Sequence, residues 1–177
     1  KTLQKDKLIS QALSLHSSGK IKEASNTYNF LIQNKIYDPI VFNNLGSIYS
    51  QQKQFDKAIL LFDESIKKFP QSLEAYPNLA SVLVIKGRND IAKKILNKAI
   101  ELNPKYLRPY SNLASIFVGE GNLNKAEFFL RKSLEINPKD INNLVNLGCV
   151  LKDLGNSKQA EKYLRDALEI NPSYDFA

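Results

Sequence analysis

The sequence has almost no equipment for acid–base chemistry. It contains a single histidine, His16, in 177 residues, which removes histidine-based triads, paired-histidine metal sites and most general acid–base pairs together. One cysteine, Cys149, excludes an internal disulfide, and with no histidine in its repeat it lacks the surroundings that activate a thiol. The glycines occur singly, so there is no glycine-rich phosphate loop. No catalysis, no metal and no cofactor are therefore expected. No apolar run approaches the ~20 residues of a membrane helix, and the N-terminus lacks a signal-peptide core. A soluble, cytoplasmic protein without a membrane partner is expected. Methionine is absent as well, so the natural start is expected to lie outside these residues.

What the sequence does have is a period. Pro70, Pro104, Pro138 and Pro172 stand 34 residues apart, a spacing that marks a stacked array of helix pairs. Laid over one another, the blocks 39–72, 73–106, 107–140 and 141–174 keep their columns. The fourth residue is large (Phe42, Tyr76, Tyr110, Leu144), and the seventh and eighth are a leucine and a small residue (Leu45-Gly46, Leu79-Ala80, Leu113-Ala114, Leu147-Gly148). A missing side chain lets two helices approach closely. The eleventh is bulky (Tyr49, Leu83, Phe117, Leu151), the twentieth is alanine (Ala58, Ala92, Ala126, Ala160) and the twenty-fourth is bulky again (Phe62, Leu96, Leu130, Leu164). Spacings of three, four and seven are helical. Gly87, Gly121 and Gly155 fall where one helix turns into the next, and Lys53 takes that place one block earlier. The prolines end the second helices, and Asp38, Ser72 and Asp140 are placed to cap the first ones.

This pattern resembles the tetratricopeptide repeat. The resemblance implies an all-α, right-handed superhelical solenoid of antiparallel helix pairs: a single array over 1–177, with repeats at 5–38, 39–72, 73–106, 107–140 and 141–174. Residues 175–177 would open a further helix. The first repeat is the weakest, keeping Leu8, Ala12, Leu15, Gly19, Ala24 and Tyr28 but holding Ile36 where later blocks have proline. Its run 15–28 also resembles bacterial chains in which such repeats precede a sulfotransferase or an O-GlcNAc-transferase-like domain. Another repeat or a further domain is expected after Ala177.

The column that asks for a functional reason is the sixth: Asn44, Asn78, Asn112 and Asn146. Asparagine is a mediocre helix former, yet it recurs in mid-helix. In this architecture the first helices line a concave groove, and a row of carboxamides there would offer donors and acceptors to a peptide backbone. First helices ~9–10 Å apart would space the rungs by about three residues of extended chain, so the four rungs would span roughly nine residues of ligand. The row resembles the asparagine ladder of O-GlcNAc transferases, which holds substrate polypeptide; Ser10 replaces the asparagine in the first repeat. The same asparagines also occur as inherited pattern in arrays without a known peptide ligand.

Around this column, Ser47, Ser81 and Ser115 leave room beside the asparagines, and Arg108 joins them as a candidate peptide-binding residue. The other expected groove positions include Asn43, Pro77, Val84, Val118, Cys149 and Asp153. They supply neither a lysine- and arginine-rich carboxylate clamp nor the basic and aromatic interleaving that nucleic acid requires. Net charge is +7, with Lys86, Arg88, Lys93, Lys94 and Lys98 close in sequence, which is read as a solvated outer face. The expected function is a non-catalytic module that holds a protein or extended peptide in its groove, as the substrate-recognition part of a larger transferase-type protein. The alternative is a free-standing assembly scaffold or adaptor, and the end beyond Pro172 could also support self-association.

Overall fold

A computed structural model of the chain describes residues 2–173. Among them are ten α-helices: α1 (Thr2–Ser17), α2 (Ile21–Gln33), α3 (Pro39–Gln51), α4 (Phe55–Lys68), α5 (Ala75–Ile85), α6 (Asn89–Leu102), α7 (Leu107–Gly119), α8 (Leu123–Ile136), α9 (Ile141–Asp153) and α10 (Ser157–Ile170). No strand occurs among the described residues. The further helix expected from Asp175 lies outside them. The chain divides into two compact units, Lys1–Arg88 and Asn89–Ala177. In the first, α1 packs on α2 and α3 on α4, and α3 also touches α5; in the second, α7 packs on α8 and α9 on α10.

The helix boundaries follow the expected punctuation. α4, α6, α8 and α10 each stop two residues before a proline. Asp38 accepts a hydrogen bond from the Ile40 N–H at 3.1 Å and Asp140 one from the Asn143 N–H at 2.9 Å, so both cap their helices. Ser72 does not. Its hydroxyl donates to Glu74 at 2.7 Å, and α5 begins only at Ala75. Starting there puts Pro77 in the first turn, where its missing N–H has no helical partner to lose.

The turns between paired helices use the left-handed region. Gly121 has φ +72°, and Lys53, at the equivalent place, has φ +59°. The lysine accepts a backbone that disfavours any residue with a Cβ.

The core is a stripe along each helix. Leu45, Leu113 and Leu147 are at most 1% exposed, as are Ala58, Ala92 and Ala126, and each buried leucine contributes on the order of 2 kcal/mol. The small residue of the eighth column is where helices touch: a Cβ on Gly46 would lie 2.6 Å from the Phe62 ring, and one on Gly148 2.6 Å from Leu164. Two further columns are buried that the repeat alignment did not single out. They are the third (Val41, Ala75, Pro109, Asn143) and the tenth (Ile48, Val82, Ile116, Val150). At about 100° per residue, they extend the buried arc on the far side of the seventh. The sixth position therefore sits at the margin of that arc. No helix among the described residues is long and apolar enough to cross a membrane.

Candidate functional site

In the first unit the asparagine column is partly turned toward the protein itself. Asn44 on α3 is half-buried, and its carboxamide approaches the phenol of Tyr28 on α2 without completing a hydrogen bond. Tyr28 is fully buried. Burial pushes its hydroxyl above the ordinary tyrosine range, and Asn44 pulls against that rise. Next to it, Asn43 is only 8% exposed, with a side-chain oxygen that meets no donor. The expectation that Asn43 and Pro77 line a groove is corrected: both are buried, because the fifth position borders the eighth, where the helix pair closes. Asn78 on α5 is half-buried, Ser47 is half-buried and Ser81 is exposed. The Ser81 hydroxyl donates to the Pro77 carbonyl of its own helix at 2.9 Å, which commits its proton.

In the second unit the two asparagines differ from each other. Asn112 on α7 is half-buried and Asn146 on α9 is exposed. Ser115 is exposed and donates back to the Ser111 carbonyl at 3.1 Å, while Arg108 is exposed in the first turn of α7. Ser115 and Asn146 meet in a pocket of about 200 Å³ floored by Leu130 and bordered by Val118, Cys149 and Asp153. This cavity brings together two of the expected binding residues. The floor was missed in the sequence, because Leu130 and Val150 belong to columns read only as core or not read at all.

Cys149 borders this pocket, and the other reactive groups lie elsewhere. His16 is half-buried, its ring edge-on to Tyr28 with 6.1 Å between centroids. Cys149 is an exposed free thiol. No group of three or more potential metal ligands occurs among the described residues. The basic run is largely neutralised. Lys86 pairs with Asp56 at 3.1 Å, Lys98 with Glu101 at 3.0 Å, and Lys93 with Glu120 at 2.9 Å and Asp90 at 3.0 Å. The hydrogen bonds to Glu120 and Asp90 raise the Lys93 pKa, and the bond from Lys93 lowers that of Asp90.

Comparison with known proteins agrees with the repeat architecture. Tetratricopeptide-repeat family models match residues 9–72, 49–116, 107–140 and 141–174. No curated protein matches the chain. Among solved structures, MamA 41-end from Desulfovibrio magneticus RS-1 is 21% identical with a TM-score of 0.79, covering 97% of each chain. TTC0263, a thermophilic tetratricopeptide protein of Thermus thermophilus, is 18% identical with a TM-score of 0.77, over 96% of this chain and 92% of its own. YrrB, a tetratricopeptide protein with an unusual peptide-binding site, is 20% identical with a TM-score of 0.69, over 94% of this chain and 86% of its own. At these identities the likeness is one of fold.

Proposed function

The chain belongs to the tetratricopeptide-repeat family, and on that premise we propose that it is a non-catalytic module holding an extended polypeptide along its first helices. The observation that carries this reading is the identical register of Asn44, Asn78, Asn112 and Asn146, two in each unit, at the margin of the buried arc. A carboxamide there can give and accept a hydrogen bond at once, which complements a peptide group. The nearby Ser115 supports it, because its hydroxyl donates to its own helix and leaves its oxygen as an acceptor. The peptide-binding site of YrrB, a protein of similar fold, is in keeping with it. Reading backbone in this way gives broad specificity, which fits the substrate-recognition arm of a larger transferase-type protein.

The test is a pool of random nine-residue peptides, fluorescently labelled, titrated with the protein and with the Asn78→Ala/Asn112→Ala double variant. The pool should bind the parent and lose at least tenfold in affinity on the double variant, while circular dichroism stays unchanged. Unchanged affinity would remove the asparagines from the binding surface.

A second reading has its own observation. Leu60 on α4 is 65% exposed and Phe128 on α8 is 54% exposed, which are positions where a folded partner could pack. They favour an assembly scaffold, and Leu60→Lys and Phe128→Lys would then abolish complex formation without affecting peptide binding.

A further inference from the structure

The pocket of the second unit has a composition that selects among side chains. Asn146, Cys149, Val150 and Asp153 stand at helical spacing on one face of α9, and Ala114, Ser115 and Val118 do so on α7. Leu130 of α8 and Val150 lie at its base, at 1% and 3% exposure. The volume of about 200 Å³ exceeds the ~30 Å³ share of one water several-fold, so a whole side chain fits. The base is aliphatic. The rim is polar, and its one charged residue is an acid, in a chain whose net charge is +7. Lys152, adjacent in sequence, lines a different cavity with Glu161 and Arg165 at the α9–α10 end.

Asp153 is also badly placed for the helix that carries it. It is the last residue of α9, where the helix dipole disfavours an anion, and no ion pair among the described residues relieves it. A charge held against its local preference, at the mouth of an aliphatic pocket, is suited to a cation arriving from outside.

We propose that this pocket is a subsite for a cationic side chain on an aliphatic stem, a lysine or arginine of the polypeptide held by Asn112 and Asn146. The inference rests on the peptide-holding reading above. The stem lies over Val118 and Leu130, as long basic side chains do along apolar surface, and the cationic head reaches the Asp153 carboxylate. An acidic side chain is repelled there, and a purely apolar one leaves Asp153 without a counter-charge.

The experiment uses labelled nine-residue alanine–serine peptides whose central residue is lysine, arginine, norleucine or glutamate, titrated with the whole chain. Lysine or arginine should bind about fivefold more tightly than norleucine, the size of a partly shielded ion pair, and glutamate should bind weakest. The order of lysine against arginine tells which head fits. Asp153→Asn should erase the preference over norleucine without lowering thermal stability, because it removes an unfavourable charge at a helix end. The lysine peptide should also slow alkylation of Cys149, the chain's single thiol. If all four peptides bind equally, and binding still falls in Asn112→Ala/Asn146→Ala, the subsite is wrong and the peptide-holding reading stands. If none binds, both fall together.

Discussion

Asn44 and Asn146 occupy the same register of equivalent helices and have different surroundings. In the first unit the asparagine is half-buried against Tyr28, beside an Asn43 that is itself enclosed. In the second it is exposed, at the rim of a pocket with an aliphatic base. The difference comes from the helix before. α2 presents a buried phenol to α3, whereas α8 presents Leu130, which can neither give nor accept a hydrogen bond. At these two positions one sequence column thus has two settings: Asn44 faces a buried phenol of its own fold, and Asn146 stands at the rim of a pocket.

The largest effect should come from the feature the two units share. Gly46 and Gly148 each leave no room for a Cβ, so Gly46→Val and Gly148→Val should each cost about 3 kcal/mol in urea unfolding, near the upper end for overpacking. Ala126→Leu, at a wholly buried alanine, should cost ~1–3 kcal/mol by the same route. A neutral result at Gly148 alone would mean that Leu164, which is only half-buried, can swing aside. The terminal helix pair would then be looser than the first unit.

Next in size is the contrast between the asparagines. Asn146→Ala should weaken the random nonapeptide pool about tenfold with stability unchanged, whereas Asn44→Ala, at a carboxamide turned toward Tyr28, should leave that affinity nearly unchanged. Equal losses of affinity at both positions would break the comparison and make the column a uniform ladder.

Much of this was legible in the sequence because the period forces it. The seventh, eighth and twentieth columns are alike in type in every block, and each is buried as the helical spacing requires. Lys53 was readable as a left-handed turn residue from Gly121 and Gly155 at the same place. The tenth column is uniformly β-branched and stands three residues past the seventh, a signal that could have found it. The third column could not be found that way: valine, alanine, proline and asparagine share no chemistry, and only packing against the neighbouring helix unites them. The failure of Ser72 as a cap was hidden too, because α5 starts late and its hydroxyl is taken by Glu74. For the candidate site, the asparagine register was visible, but its division into two environments was not. That division depends on what the preceding second helix carries.

A smaller effect separates the turns. Lys53→Gly should raise stability by about 0.5–1 kcal/mol, since the left-handed backbone costs a side chain ~1–2 kcal/mol and glycine returns part of that as unfolded-state entropy. Gly121→Ala, with open space around it but φ +72°, should lower stability by about 1 kcal/mol. Thermal unfolding of both variants checks the pair, and a destabilising Lys53→Gly would show that the lysine side chain does more at the turn than tolerate it.

The smallest effect tests the phenol that sets the two units apart. The Tyr28 hydroxyl is buried without a completed hydrogen bond, so Tyr28→Phe should stabilise the protein slightly, by about 0.5 kcal/mol at neutral pH. Burial raises the folded-state pKa of this group above its unfolded value, so the neutral phenol is the form that folding favours. Its contribution is then fully present below about pH 10, the ordinary tyrosine value. It is lost as pH rises through the higher folded-state value, because the unfolded chain releases the proton first. Unfolding midpoints measured between neutral pH and about pH 11 should therefore fall more steeply for the parent than for Tyr28→Phe. A variant less stable at neutral pH would mean that Asn44 does satisfy the phenol in solution. Asn44 would then be wholly structural, and a ligand backbone would find its rungs only at Asn78, Asn112 and Asn146.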